Sequence, residues 1–222
     1  MTFLKKIAAA LAVLITVGAL AACSSTQPKY DAKEPLGPQI NYTITGIDAG
    51  AGVMTSTDKA LKAYGLVDKK WQLQPSSTAA MTSTLQKAIA DKRPIVVTGW
   101  TPHWMFTKFP LKFLKDPKNV YGKTEQIHTI VRKGLKQDAP QAYQVLDQFH
   151  WTPEEMSSVM LAVNGGKDPA EAAKAFVKKH PEQIAQWTKG VTHVSGKPKL
   201  TMTYIAWDSE IASTNVVATV LR

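Results

Sequence analysis

The segment Pro94-Ile95-Val96-Val97-Thr98-Gly99-Trp100-Thr101-Pro102-His103-Trp104 constrains this chain more than any other stretch. Its first half is a short, apolar, β-branched run, which reads as a buried strand. The run breaks at Gly99 and then delivers Trp100, His103 and Trp104 within five residues. In open α/β sheets, ligands sit just outside the carboxyl ends of the strands. Aromatic rings placed there are poorly buried by the sheet and are free to line a cleft. An indole face is electron-rich, so a ring in a cleft suits an alkylated cation, which is cheap to desolvate. Large aromatics fill cores as well as sites. Trp100 and Trp104 as core residues beneath a loop is therefore an equally open reading.

The rest of the chain alternates in the same manner. Tyr42 to Ile47 is β-rich and runs into Asp48-Ala49-Gly50-Ala51-Gly52-Val53, a glycine-containing turn that opens a helix from about Met54 to Tyr64, closed by Gly65. Backbone N–H groups in such a turn can face an anion at the helix N-terminus, which would make Gly52 and Val53 a carboxylate site. A tight turn that simply needs glycine is the other reading. Trp71 to Gln74 reads as a short strand. Ser76-Ser77 reads as the cap of a helix to about Lys92, with Ala80, Met81, Leu85, Ala88 and Ile89 inward. Leu111 to Leu114 reads as a short extended piece, Ile127 to Val131 as a strand, and Asp138-Ala139-Pro140 as the start of a helix. Thr152-Pro153-Glu154-Glu155 has the layout of a capping box, and Asp168-Pro169-Ala170-Glu171 repeats the signal. Leu200 to Ile205 alternates like a strand and delivers Trp207, with Ser209 as the expected cap of a final helix. Alternating strands and helices predict α/β layers.

The N-terminus is a targeting segment. Lys5 and Lys6 form a charged n-region, Ile7 to Leu20 an apolar h-region, and Leu20-Ala21-Ala22-Cys23 a small-residue cleavage site. This last stretch resembles the lipobox of bacterial lipoproteins, which makes Cys23, the only Cys of the chain, the expected lipid attachment site. The expected organisation is a signal peptide over 1–22, a flexible tether over 23–40, a first α/β lobe over 41–190, and over 191–222 a linker with the first strand and helix of a second lobe. Loss of residues 1–22 removes Lys5 and Lys6 and no acid, so the net charge falls from +10 to +8. The Lys residues are scattered rather than gathered in a stripe, which argues against nucleic acid and suits a solvated surface near anionic lipid.

Catalytic chemistry is not visible in the sequence. There is no nucleophile elbow and no metal-ligand spacing among His103, His128, His150, His180 and His193. No enzyme activity, cofactor or metal is expected. His128 reads as a satisfied structural His, and Trp71, Trp151 and Trp187 as packing residues. His103 lies between two Trp residues. It could donate to a ligand carboxylate or hold its own loop together.

At Gly46 to Gly52, Ser77 to Met81, Thr98 to Phe106 and Ala206 to Asn215 the chain resembles the glycine betaine-binding lipoproteins of bacterial osmoprotectant ABC importers. The resemblance runs from about Asn41 to Arg222. It implies a type II periplasmic-binding-protein fold of two lobes, of which this chain would hold one complete lobe and only the beginning of the second. It implies a trimethylammonium held among Trp residues by cation–π contact, with Trp100 and Trp207 as two walls. The ligand carboxylate would be held by the backbone N–H groups of Gly52 and Val53, with His103 close by. In the family a further Trp and a carboxylate-binding His follow later in the second lobe, so the chain is expected to be truncated. The implied role is capture of glycine betaine or a related quaternary ammonium for a permease and ATPase complex, by a protein lipid-anchored at the extracytoplasmic face of the membrane. The alternative is a truncated surface lipoprotein that no longer binds.

Overall fold

The structure, a computed structural model, describes residues 29–192 and 200–222. The signal segment, Cys23, residues 24–28 and residues 193–199 with His193 lie outside the described residues.

Three short parallel strands make the sheet: β1 (Thr43–Thr45), β2 (Gln72–Gln74) and β3 (Val96–Val97), in the order β2-β1-β3. Ile44 stands opposite Leu73 on one side and Val96 on the other. Parallel strands need crossover connections, and two helices supply them. The chain opens with α1 (Leu36–Gln39), then β1, then α2 (Gly52–Ala63) returns it to β2. From β2, α3 (Thr78–Ala90) returns it to β3. Ser77 caps α3 as expected, its Oγ accepting the Ala80 N–H at 3.2 Å. Met81, Leu85 and Ala88 face inward from α3, whereas Ala80 is exposed.

The second half is helical: α4 (Met105–Lys108), α5 (Leu135–Asp138), α6 (Pro140–Gln148), α7 (Pro153–Asn164), α8 (Pro169–Lys179), α9 (Pro181–Trp187) and α10 (Asp208–Val220). The capping box is present: Glu155 N–H donates to Thr152 Oγ1 at 3.2 Å and Thr152 N–H to Glu155 Oε2 at 2.7 Å. Asp168 Oδ1 accepts from Ala170 N–H at 2.9 Å and Glu171 N–H at 3.1 Å. Trp187 is fully buried, edge-on to Phe149 at 4.8 Å and stacked with Phe176 at 6.4 Å. One apolar cluster runs through both halves. Ile47, Met54, Met81 and Leu85 lie at the sheet, Trp104 and Met105 bridge, and Met156, Met160, Phe176, Ala212 and Val216 lie among the helices.

Several expectations need correction. Of the expected tether, residues 29–40 are folded onto the body: Ile40 is buried, the Gln39 amide takes the Asp31 N–H at 2.8 Å, and Tyr30 N–H donates to Lys92 O at 3.2 Å. Ile127 to Val131 and Leu200 to Ile205 form no strand, nor does Leu111 to Leu114. Ile127, Ile130 and Ile205 are exposed, and none of these runs has a neighbouring strand among the described residues. A strand without a ladder partner gains nothing over solvated backbone. His128 is exposed rather than packed. The final helix starts at Asp208 with Trp207 at its N-cap and no capping side chain; the Ser209 hydroxyl instead donates to Glu210 Oε2 at 2.6 Å. This helix packs on α7 and α8 through Ala212, Val216 and Val217.

Candidate ligand site at the sheet edge

All three strands are parallel, so their carboxyl ends open on one edge of the sheet. The ladder continues past the strands there: Gly46 N–H donates to Gln74 O at 2.8 Å, Thr98 N–H to Thr45 O at 3.0 Å and Ser76 N–H to Ile47 O at 3.0 Å. A Cβ on Gly46 would strike the end of the buried Met54 side chain and approach Leu73 Cδ1 to 3.1 Å, so a larger residue here would force the Met54 thioether to move.

The turn after β1 starts α2 at Gly52, and no side chain caps it. The N–H groups of Gly52 and Val53 belong to the first turn, where no intrahelical acceptor exists. Gly50 and Gly52 do not have positive φ, and a Cβ at either meets nothing within 4 Å. A tight turn demanding glycine therefore has no steric basis here, and the surface above the helix start is open.

The turn after β3 carries Trp100, His103 and Trp104. Trp100 is half-buried and meets the His103 ring edge-on, centroids 4.8 Å apart at 77°. His103 and Trp104 are buried, their rings 5.4 Å apart. The Met105 N–H donates to His103 Nδ1 at 3.2 Å, so the proton of the neutral ring sits on Nε2. Nε2 faces Asp208 Oδ2 at 3.5 Å and has no hydrogen-bond partner. Burial pushes the His103 pKa below its usual value, with the Asp208 charge acting in the opposite direction. The ring is therefore neutral at neutral pH. The same Asp208 Oδ2 accepts the Trp104 indole N–H at 2.5 Å.

Asp208 stands beside Trp207 at the start of α10, and Trp207 is half-buried against the core. Trp100 touches His103, His103 faces Asp208, and Trp207 precedes Asp208 in the chain. Gly52 and Val53 leave the same sheet edge from the adjacent strand. A cavity of about 570 Å³ lies beside this group, lined by Thr78, Thr82, Gln86, Lys87, Trp104 and Asp208. It is not bounded by Trp100, Trp207, Gly52 or Val53. Among the described residues no His/Cys/Asp/Glu group could hold a metal ion. None of the described helices is long and apolar enough to cross a membrane. The sequence points to Ser209 rather than Asp208 at this helix start; the one local signal for Asp208 is its place immediately after a Trp that ends a strand-like run.

Known proteins share this arrangement of sequence and fold. The chain is 66% identical over 219 residues to the glycine betaine/carnitine transport binding protein GbuC of Listeria monocytogenes, a match covering 99% of this chain and 73% of that protein. Lactococcal OpuAC, solved in its closed-liganded conformation with glycine betaine, aligns with 48% identity and a TM-score of 0.64 over 74% of this chain and 64% of its own. The glycine/betaine/L-proline-binding protein ProX from Borrelia burgdorferi aligns with 34% identity and a TM-score of 0.61 over 75% of this chain and 63% of its own. A choline-binding protein of an ABC transporter shares the fold at 23% identity and a TM-score of 0.59. The chain spans less than two thirds of the length of each of these solved proteins. The α/β fold is that of the type II periplasmic substrate-binding proteins, with one domain only partly represented. The family described as the substrate binding domain of ABC-type glycine betaine transport systems matches residues 24–179, and with these likenesses this chain belongs to it.

Proposed function

We propose that this chain captures glycine betaine or a related quaternary ammonium and delivers it to an ABC permease and ATPase complex, from a lipid anchor at Cys23 on the outer face of the membrane. The observation that carries the reading is the linked group of half-buried Trp100, His103, Trp104 and Asp208, with half-buried Trp207 next to Asp208 in the chain. The trimethylammonium would rest against the indole faces, where a desolvated cation gains about 2 kcal/mol per good ring contact. Its carboxylate would take the free N–H groups of Gly52 and Val53, favoured by the positive end of α2. His103 lies beneath Trp100, close to the ligand. A tether from Cys23 to the body would suit the same role, and of the residues 191–222 assigned to a second lobe, α10 instead packs on α7 and α8 in the core of the first.

The test is a titration of the chain with glycine betaine, followed by Trp fluorescence. A saturable change is expected, and Trp100→Ala should abolish it. Unaltered affinity in that variant would remove Trp100 from the site. A folded chain that shows no change at millimolar ligand would sink the reading itself.

A further inference from the structure

We infer that Asp208 is a positioning residue that holds Trp207 and Trp100 in register, so that one carboxylate sets the geometry of the cation end of the site. This rests on the functional reading above. Four observations converge. The two indoles come from elements far apart in the chain, one at the exit of β3 and the other at the N-cap of α10. A polar link between these elements is Asp208 Oδ2, which takes the Trp104 indole N–H at 2.5 Å and lies 3.5 Å from His103 Nε2. His103 cannot turn to another partner, because its Nδ1 already accepts the Met105 N–H at 3.2 Å and its side chain is fully enclosed. Finally, α10 begins at Asp208 without any capping side chain, so the carboxylate also sits at the positive end of that helix.

The chemistry follows from counting donors. A carboxylate is acceptor-only: Oδ2 takes the Trp104 N–H in a hydrogen bond, while the unpartnered Nε2–H of neutral His103 faces the same oxygen from 3.5 Å. Charge-assisted hydrogen bonds of this kind are short and directional. His103 is in edge contact with Trp100, and Asp208 is bonded in sequence to Trp207. A shift of the carboxylate therefore moves both walls: one through the imidazole, the other through the backbone. Asparagine at this position keeps the volume, but its amide has one acceptor oxygen and one NH₂ group and carries no charge. It accepts the Trp104 N–H less strongly and offers the His103 N–H no charge, and an inverted amide sets N–H against N–H.

The experiment uses the full chain, labelled with ¹⁵N, and reads the six Trp indole N–H signals, assigned by single Trp→Phe replacements. In Asp208→Asn the Trp104 signal is expected to move upfield, and the Trp100 and Trp207 signals to move with it. The glycine betaine Kd should rise about tenfold, equivalent to ~1.4 kcal/mol. Asp208→Glu, which restores the charge one methylene further out, should recover part of the affinity. Thr152→Ala, which lowers stability at a distant helix start, must leave Kd unchanged; a change there would make the Asp208 effect one of general destabilisation and overturn the inference. Trp100 and Trp207 signals that stay in place in Asp208→Asn would also overturn it, as would an unchanged Kd. Should Asp208→Asn not fold, Trp104→Phe removes the donor from the other end and must move the Trp207 signal in the same way. If the wild type binds no glycine betaine, the functional reading fails, and the indole signals still decide whether Asp208 sets the two rings.

Discussion

His103 shows how one buried side chain couples stability to pH. Its unfolded pKa is near 6.5, and burial lowers the folded value despite the nearby Asp208 charge. Below pH 6.5 the unfolded chain therefore takes up a proton that the folded chain refuses. With more protons bound in the unfolded state, stability rises with pH in that window. His103 thus contributes fully above pH 6.5, and its contribution is lost as pH falls from there toward the lower folded pKa. The expected outcome is a drop in the thermal midpoint between pH 7 and pH 5 that His103→Gln flattens, because a Gln amide has no proton to take up. A wild-type slope retained in His103→Gln would assign the titration to another group. A ring protonated on both nitrogens would also lose the Met105 N–H bond to Nδ1, which adds to the drop.

The helices are where sequence and structure agree, and the agreement has a local cause. Thr152→Ala removes the acceptor of the Glu155 N–H and should cost about 1 kcal/mol. In a chain of this size that is a fall of about 2–4 °C in the thermal midpoint, measurable by calorimetry. A negligible shift would mean that water caps the helix equally well. Such caps are legible because every group involved lies within three residues, as with Ser77 over α3 and Asp168 over α8. The strand-like runs at Ile127–Val131 and Leu200–Ile205 were misread for the opposite reason. Alternation states that a segment can pair, but pairing needs a partner at long range, and none stands beside either run among the described residues. The candidate site divides in the same way. Trp100, Trp207 and the Gly52 turn stand out in the sequence as candidates because each sits at the end of an apolar run, on its own local pattern. The Asp208 contact does not, because its partner Trp104 lies 104 residues away. The half-folded tether was hidden similarly: Ile40 and the Gln39 amide look solvated in sequence and become buried or bonded only against the body.

At the scale of the whole molecule, the continuous core decides how the described body melts. The sheet and the helical layer are joined at α4, where Met105 is fully buried and the helix touches α7. Helix α10, which carries Trp207 and Asp208, is bound to α7 and α8 by Ala212 and Val216, both 0% exposed. The proposed ligand site, drawing on β3 and α10, would thus depend on packing far from the ligand. Residues that share one close-packed interior unfold together when no part has a separate core to fall back on. Urea unfolding followed by Trp fluorescence and by far-UV circular dichroism should therefore give coincident transitions. Trp187→Ala tests this from the far side of the helical layer: Trp187 is fully enclosed by Phe149 and Phe176, and its truncation should cost about 3–5 kcal/mol. Both probes should shift to lower urea by the same amount, with the slope unchanged. If the far-UV signal moved while the Trp emission held its midpoint, the helical layer and the sheet edge would be separate cooperative units, and the packing of Met105, Ala212 and Val216 would not couple them.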